Sequence, residues 1–163
     1  MAIEFLIGIM AFLVGLSGFL IKDYKKLRLT FGIGSLLWAL HFFLLSGFTA
    51  ATIQVAMGLR TWISILLHHK KHLVYGYILI STFVFLLLMF FSWQGPMSIL
   101  PTLAAINSTI AYTRSNLTMR LMFLISSLIW VLNAIVLGSI PGLIAEITAI
   151  LFNLIGIWRL KKA

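Results

Sequence analysis

Ionisable and polar side chains within long apolar segments are the residues of this sequence that could do chemistry. Arg60 is the first candidate, since a charge in mid-bilayer costs at least about 2.5 kcal/mol and usually faces a cavity or partner. It predicts an anionic solute, with snorkelling or structural pairing as the alternative. Glu146, with Gln54 at the same predicted depth, could bind a proton or a cation; a structural hydrogen bond is the alternative.

A second group of polar and aromatic residues predicts a chamber for a solute. His41 lies three positions after Trp38, nearly one helical turn away, so the two share a helix face. Asn133 bears the same relation to Trp130. The alternative is that Asn and His hydrogen-bond across helices while Trp fills space. The predicted solute-binding set is Arg60, His41, Asn133, Asn153, Trp38 and Trp130.

Motifs for enzymatic chemistry are absent from the sequence. There is no H-E-x-x-H, Walker A, G-x-G-x-x-G or G-x-S-x-G pattern. The chain has no cysteine, and its three acidic residues lie far apart. His68, His69 and His72 flank two lysines, which favours a solvated surface over a metal site. We therefore predict no enzyme activity, no cofactor and no metal.

The composition indicates a membrane protein. Of 163 residues, 62% are hydrophobic and 9% are charged, whereas soluble domains average about 45–50% and about 25%. The formal net charge is +9, but the basic residues lie in short gaps between apolar runs. This pattern favours a lipid bilayer over nucleic acid as the partner.

The apolar runs predict an all-α membrane protein with seven transmembrane helices. A spanning helix needs about 20 mostly apolar residues, and long runs without two-residue alternation favour helices over a barrel. The predicted spans are 3–21, 31–47, 49–68, 73–92, 96–113, 119–137 and 140–159.

Basic residues predict the orientation. They follow the first, third, fifth and seventh spans, and such gaps face the cytoplasm. We therefore predict a multi-pass protein of the plasma membrane with its N-terminus outside and its C-terminus in the cytoplasm.

An internal repeat divides the chain. A shift of 92 residues aligns 22–70 with 114–162 without a gap, and 13 of those 49 pairs are identical. Since three spans reverse the chain direction, a second copy in the same orientation needs one linking span. The predicted domains are a three-helix bundle (1–71), a linker helix (72–93) and a second, parallel three-helix bundle (94–163).

This 3-1-3 pattern resembles the SWEET and SemiSWEET transporters of the PQ-loop superfamily. The shared features are the predicted topology, a Trp in the second helix of each bundle (Trp38 and Trp130) and an N-x-x-G motif at Asn153. The Pro-Gln dipeptide of that superfamily is absent. The whole chain also resembles the YgjV-type bacterial inner membrane proteins. The SWEET resemblance implies that both Trp residues and Asn153 lie at the substrate.

Together these features predict a small-solute transporter that works by alternating access at a mid-membrane polar site. The solute would be an anion or a sugar. The alternative is a membrane scaffold, assembly or regulatory subunit that uses the same fold without transporting. The expected partners are lipid and solute, not nucleic acid, and a homo-oligomer is left open.

Overall fold

Seven α-helices form the part of the chain that the structure, a computed structural model, describes: residues 2–18, 20–67, 71–114 and 116–162. Short 3-10 turns at Lys71–Leu73 and Pro96–Ser98 precede the fourth and fifth helices. By length and composition, α2, α4, α6 and α7 can each cross a membrane. The helices are α1 (Ala2–Gly18), α2 (Tyr24–Leu44), α3 (Phe48–Leu67), α4 (Val74–Phe91), α5 (Ile99–Ala111), α6 (Asn116–Val136) and α7 (Ile140–Lys162).

The number of helices agrees with the sequence prediction, but α2 begins seven residues earlier than predicted. Asp23 caps this helix, and its side chain accepts a 2.8 Å hydrogen bond from the Lys26 N–H. Aspartate at this position satisfies one of the free N–H groups of the first turn. The basic segment after α1 is therefore the first turn of α2, although hydropathy alone places it in a loop.

The turns after α2 and α6 have the same hydrogen-bond pattern. Ser46 has a φ of 59°, and the Gly47 N–H donates to the carbonyl five positions earlier at 2.8 Å. Gly138 has a φ of 65°, and the Ser139 N–H makes the corresponding bond, also at 2.8 Å. Both turns are Schellman motifs, which let a helix stop abruptly. Their positions differ by 92 residues, the offset of the sequence repeat.

Helix packing follows a pattern that is the same in both halves of the chain. α2 packs against α1 and α3, and α6 packs against α5 and α7. The two sets of helices meet through α1 with α7 and through α3 with α5, while α4 packs against α3 and α5. The two contacts between the sets are equivalent under the repeat. If α1 is replaced by α5 and α7 by α3, the contact of α1 with α7 becomes the contact of α5 with α3.

Small residues form much of the interior, and large apolar residues cover the outside. One buried cluster contains Phe42 and Trp130 with three alanines, at positions 50, 51 and 104. Small side chains allow helix backbones to approach closely, as is typical of membrane bundles. On α4, Leu79, Phe83 and Phe90 are 70%, 62% and 74% exposed. Such an apolar exterior suits hydrocarbon as its surroundings.

Candidate functional site

A small buried cavity lies where the two sets of helices meet. Its volume is about 20 Å³, enough for a single water molecule. Two pairs of residues that are 92 positions apart in the sequence converge here: Trp38 with Trp130, and Gln54 with Glu146. We call it the central cavity, and its lining residues are Trp38, Phe42, Gln54, Trp130, Ala134, Gly142 and Glu146.

The two pairs lie at one depth in the helix bundle. Each of the four residues is six positions from one end of its helix, which is about 9 Å along the axis at 1.5 Å per residue. The two Schellman turns join these ends in pairs. The turns are adjacent, since a Cβ added at Gly47 would lie 2.7 Å from Leu137, so all four ends lie on the same side of the molecule. The helix ends concerned are Leu44, Phe48, Val136 and Ile140.

Three stacked aromatic rings form one wall of the central cavity. The Phe42 ring lies 5.7 Å from the Trp38 ring at an interplanar angle of 24°, and 5.7 Å from the Trp130 ring at 5°. Stacking at this distance is favourable beyond the burial of the rings. Phe42 therefore joins the two repeat-related tryptophans. Its own counterpart in the repeat is Ala134, which is buried at the same cavity.

Gln54 and Glu146 bring hydrogen-bonding groups to the central cavity. The Oε1 atom of Gln54 is buried and has no hydrogen-bond partner among the described residues. The carboxyl group of Glu146 interacts with the Ser127 side chain. An unsatisfied buried acceptor costs about 1–3 kcal/mol, so a water, a proton on Glu146 or a solute donor would stabilise this arrangement. The prediction that these two residues share a depth agrees with the structure.

His41 does not line the central cavity. It is 1% exposed, its Nδ1 lies 2.6 Å from the Glu4 carbonyl oxygen, and its Nε2 lies 2.7 Å from the Ser139 hydroxyl. The ring also lies against Gly8 on α1. Both ring nitrogens have protein partners, so the geometry gives His41 the bridging role that was the alternative interpretation.

Asn133 lines a separate cavity of about 210 Å³ beside the Schellman turns. Its Nδ2 atom is buried and makes no hydrogen bond within the described part of the chain. Gln94, Ser98 and Thr49 also line this turn-side cavity. They hold the segment before α5 against α3, since the Thr49 hydroxyl donates to Ser98 Oγ at 3.0 Å and the Thr49 N–H donates to Gln94 Oε1 at 3.2 Å.

A third cavity, of about 140 Å³, lies among α1, α2 and α7. Trp38 lines both this cavity and the central one. Gly15, near the end of α1, and Phe31, near the start of α2, place it toward the opposite end of the helices from the Schellman turns. We call it the basic-side cavity, because the basic start of α2 lies at that end.

Arg60 lies away from the central cavity. It is 6% exposed, and its Nη1 donates a 2.5 Å hydrogen bond to the hydroxyl of Thr109 on α5. Its Cζ is 5.1 Å from the centre of the Tyr112 ring. It lines a groove between α3 and α4. The predicted binding set is thus divided among different places rather than gathered in one chamber.

Asn153 makes a local contact. Its Nδ2 donates at 3.1 Å to the carbonyl of Ala149, one turn earlier in α7. His68 and His69 lie outside the described residues. Phe42, Ser139 and Thr109 are the site-related residues that the sequence prediction missed. The spacing of Phe42, four positions after Trp38 on the same helix face, was the available signal for the first of them.

Comparison with known proteins identifies the family. A family model described as a bacterial inner membrane protein, Imp-YgjV, matches residues 2–163. Inner membrane protein YgjV of Escherichia coli (strain K12) is 29% identical over 160 residues, which cover 96% of this chain and 85% of that protein. No solved structure matches the chain. The YgjV-type resemblance is therefore confirmed, while the SWEET resemblance stays a prediction. This chain belongs to the Imp-YgjV family of bacterial inner membrane proteins.

Proposed function

We propose that this membrane protein transports a small solute by alternating access, with the central cavity as its binding site. The observation that carries the proposal is the convergence of two repeat-related pairs on one buried cavity between two sets of helices. Polar groups buried within a membrane bundle are costly and commonly mark a substrate or ion pathway. In this proposal Glu146 binds the proton or cation, and Gln54, which lines the same cavity, hydrogen-bonds the solute.

The proposed architecture is the 3-1-3 arrangement of two parallel bundles with α4 as linker. It is supported by the matched packing of α2 and α6, the two interchangeable inter-set contacts and the matching Schellman turns. In this arrangement the bundles rock about their seam. The basic ends of the helices face the cytoplasm, so the central cavity lies in the outer half of the membrane.

The three cavities support a closed state of such a pathway. The turn-side cavity and the basic-side cavity approach the central cavity from opposite ends. We propose that the stack formed by Trp38, Phe42 and Trp130 is the barrier between these two cavities. When the bundles separate on one side of the membrane, the central cavity opens into the larger cavity on that side. The aromatic stack then closes the route to the larger cavity on the opposite side.

The lining favours a hydroxylated, uncharged solute such as a sugar. Two indole rings offer flat apolar walls, and the Gln54 amide and Glu146 carboxyl offer hydrogen bonds. An anionic solute was predicted because of Arg60, but Arg60 does not reach this cavity and a carboxylate would repel an anion. The geometry thus shifts the proposal toward the sugar.

Uptake by proteoliposomes tests the proposal. Vesicles containing a pH-sensitive dye are supplied with radiolabelled glucose or sucrose under an inward proton gradient. We expect sugar uptake with the unmodified protein, accompanied by acidification, and loss of at least about 90% of it in Glu146→Gln, which is the size of a single transition-state interaction of about 1.4 kcal/mol. Glu4→Gln makes the same chemical change outside the cavity and should retain uptake. Equal uptake by protein-free vesicles would overturn the proposal.

A membrane scaffold is the second candidate. It is favoured by the size of the central cavity, which holds one water and would suit a rigid core. A scaffold predicts that a disulfide between cysteines placed on α1 and α7 leaves cell phenotype and partner assembly intact. A rocking transporter loses uptake on the same cross-link and regains it on reduction.

A further inference from the structure

Two arginine side chains contact a single tyrosine ring at the basic ends of the helices. The Cζ of Arg28 is 4.7 Å and the Cζ of Arg60 is 5.1 Å from the centre of the Tyr112 ring. Each arginine has a buried Nε atom that finds no hydrogen-bond partner in the described part of the chain. Two cations thus contact one aromatic ring, and each has an Nε donor without a partner among the described residues.

Two further tyrosines complete the cluster. Arg28 also stacks over Tyr24 at 5.1 Å. Tyr77 of α4 lines the same groove as Arg60. Three helices, α2, α3 and α4, and the turn after α5 therefore bring phenol and guanidinium donors together. We call Arg28, Arg60, Tyr24, Tyr77 and Tyr112 the arginine–tyrosine cluster.

No described carboxylate neutralises the two arginines. The chain has three acidic residues. Glu146 lies at the central cavity, Glu4 lies in the first turn of α1, and Asp23 caps α2 through the Lys26 N–H. Guanidinium stays protonated in proteins, and a buried charge without a counterion is unfavourable. The cluster therefore suits an anion supplied from outside the chain.

An apolar groove leads from Arg60 along α3 and α4. Its volume is about 400 Å³, within the range of small-molecule sites. Ile63, Tyr77 and Phe85 are among its walls, and Gly76 leaves open space, since a Cβ added there meets nothing within 4 Å. The outer rim is lipid-facing, with Ile80 68% exposed. A hydrocarbon chain can enter sideways from the bilayer.

The cluster lies toward the basic ends of the helices, where long side chains can reach the boundary between headgroups and hydrocarbon. Arg28 lies four positions, or about 6 Å, from the start of α2. Arg60 lies seven positions, or about 10 Å, from the end of α3. These helix ends adjoin the basic gaps, on the side that the arginine and lysine distribution assigns to the cytoplasm.

We propose that the arginine–tyrosine cluster and the groove between α3 and α4 form a binding site for an anionic phospholipid of the cytoplasmic leaflet. The phosphate lies against Arg28 and Arg60, and one acyl chain fills the groove. This occupant supplies both the missing negative charge and the apolar chain. The site is separate from the central cavity and does not depend on transport.

Native mass spectrometry of the purified full chain tests the site. The delipidated protein is titrated with phosphatidylglycerol and with phosphatidylcholine that has identical acyl chains. We expect phosphatidylglycerol to bind at least about fivefold more tightly, because one arginine near the membrane surface contributes about that factor. Arg28→Gln and Arg60→Gln should each remove about fivefold of this preference.

Matched controls separate the site from general charge and from folding. Arg120 is the repeat counterpart of Arg28 in α6, so Arg120→Gln should keep the preference. Gly76→Leu fills the groove without altering charge and should weaken phosphatidylglycerol binding at least about fivefold. Gly15→Leu makes the same change at another open glycine, where an added Cβ also meets nothing within 4 Å, and should bind as the unmodified protein does.

Three outcomes would overturn the assignment. Equal affinity for the two phospholipids excludes headgroup recognition. If Arg120→Gln loses as much of the preference for phosphatidylglycerol as Arg28→Gln does, the preference reflects only the net charge of the protein. Inorganic phosphate or oleate that displaces phosphatidylglycerol at equal concentration would show a free anion site or a fatty-acid site instead.

Discussion

Glu146 and Gln54, 92 positions apart in the chain, face the same cavity from α7 and α3. A carboxyl group and an amide of the same length thus occupy related positions about one seam. Because the cavity holds about one water, any charge that enters it must be shared between these two side chains or shielded by a solute. This relationship makes the pair the most direct target for substitution.

A variant in which Gln54 and Glu146 exchange side chains should be more stable than a variant with glutamate at both positions. Gln54→Glu places two carboxyl groups in the cavity and should lower the free energy of unfolding by at least about 1 kcal/mol, because buried like charges are poorly compensated. The double variant Gln54→Glu, Glu146→Gln should recover most of that loss. Reversible unfolding in mixed micelles measures both. Additive effects in the double variant would contradict a shared site.

Two glycines of α1 should respond oppositely to alanine. A Cβ at Gly8 would lie 2.7 Å from Cβ of Pro141 and 2.8 Å from the His41 ring, so Gly8→Ala should destabilise by about 1–3 kcal/mol. Gly15→Ala meets nothing within 4 Å and should stabilise the helix by about 0.5–1 kcal/mol. Melting temperatures in detergent compare the two. Equal shifts would mean that α1 does not pack as described.

His41 should be a stability residue. Its two ring nitrogens link α1 to the turn before α7 through Glu4 and Ser139. His41→Ala should cost about 2–4 kcal/mol, from a lost buried side chain and two lost hydrogen bonds. Ser139→Ala should cost about 1–2 kcal/mol, because His41 keeps its second partner. Unfolding in denaturant gives both values, and a larger loss for Ser139→Ala would reverse the assignment.

The hydroxyl of Thr109 should matter more than that of Thr102 on the same helix. Thr109 accepts the 2.5 Å hydrogen bond from Arg60, whereas the described bond of Thr102 runs to the Ser98 carbonyl one turn earlier. Hydrogen bonds to charged groups contribute about 1.5–3 kcal/mol, so Thr109→Val should destabilise by that amount. Thr102→Val should cost less than about 1 kcal/mol. Similar losses in both variants would show that Arg60 has another partner.

Much of the fold could be predicted from hydropathy because a bilayer forces each apolar run of sufficient length into a helix. Each of the seven helices overlaps a predicted span, and α2, α4, α6 and α7 are long and apolar enough to cross a membrane. The start of α2 could not be placed by hydropathy, because Asp23 extends the helix into a charged segment. Capping acts through one side chain and adds nothing to the mean hydropathy of the span.

The site was predicted only in part. The repeat predicts that the two members of each pair, Trp38 with Trp130 and Gln54 with Glu146, lie at equal depth. The reason is that a 92-residue offset preserves position along the helices. Depth alone does not say which way a side chain points around the helix axis. His41 therefore turned out to contact α1, and Arg60 to contact α5, although both lie in apolar segments.

The ring of Phe42 occupies the place between Trp38 and Trp130, and its counterpart is Ala134. Two identical halves related by rotation would each present the same side chain at that point. Two phenyl groups would collide there, and two methyl groups would leave a hollow. A continuous polypeptide can place a large side chain at one of the two positions and a small one at the other, as Phe42 and Ala134 do. In the proposed arrangement of two parallel bundles, a single chain that contains both can therefore form an aromatic centre that two identical chains could not.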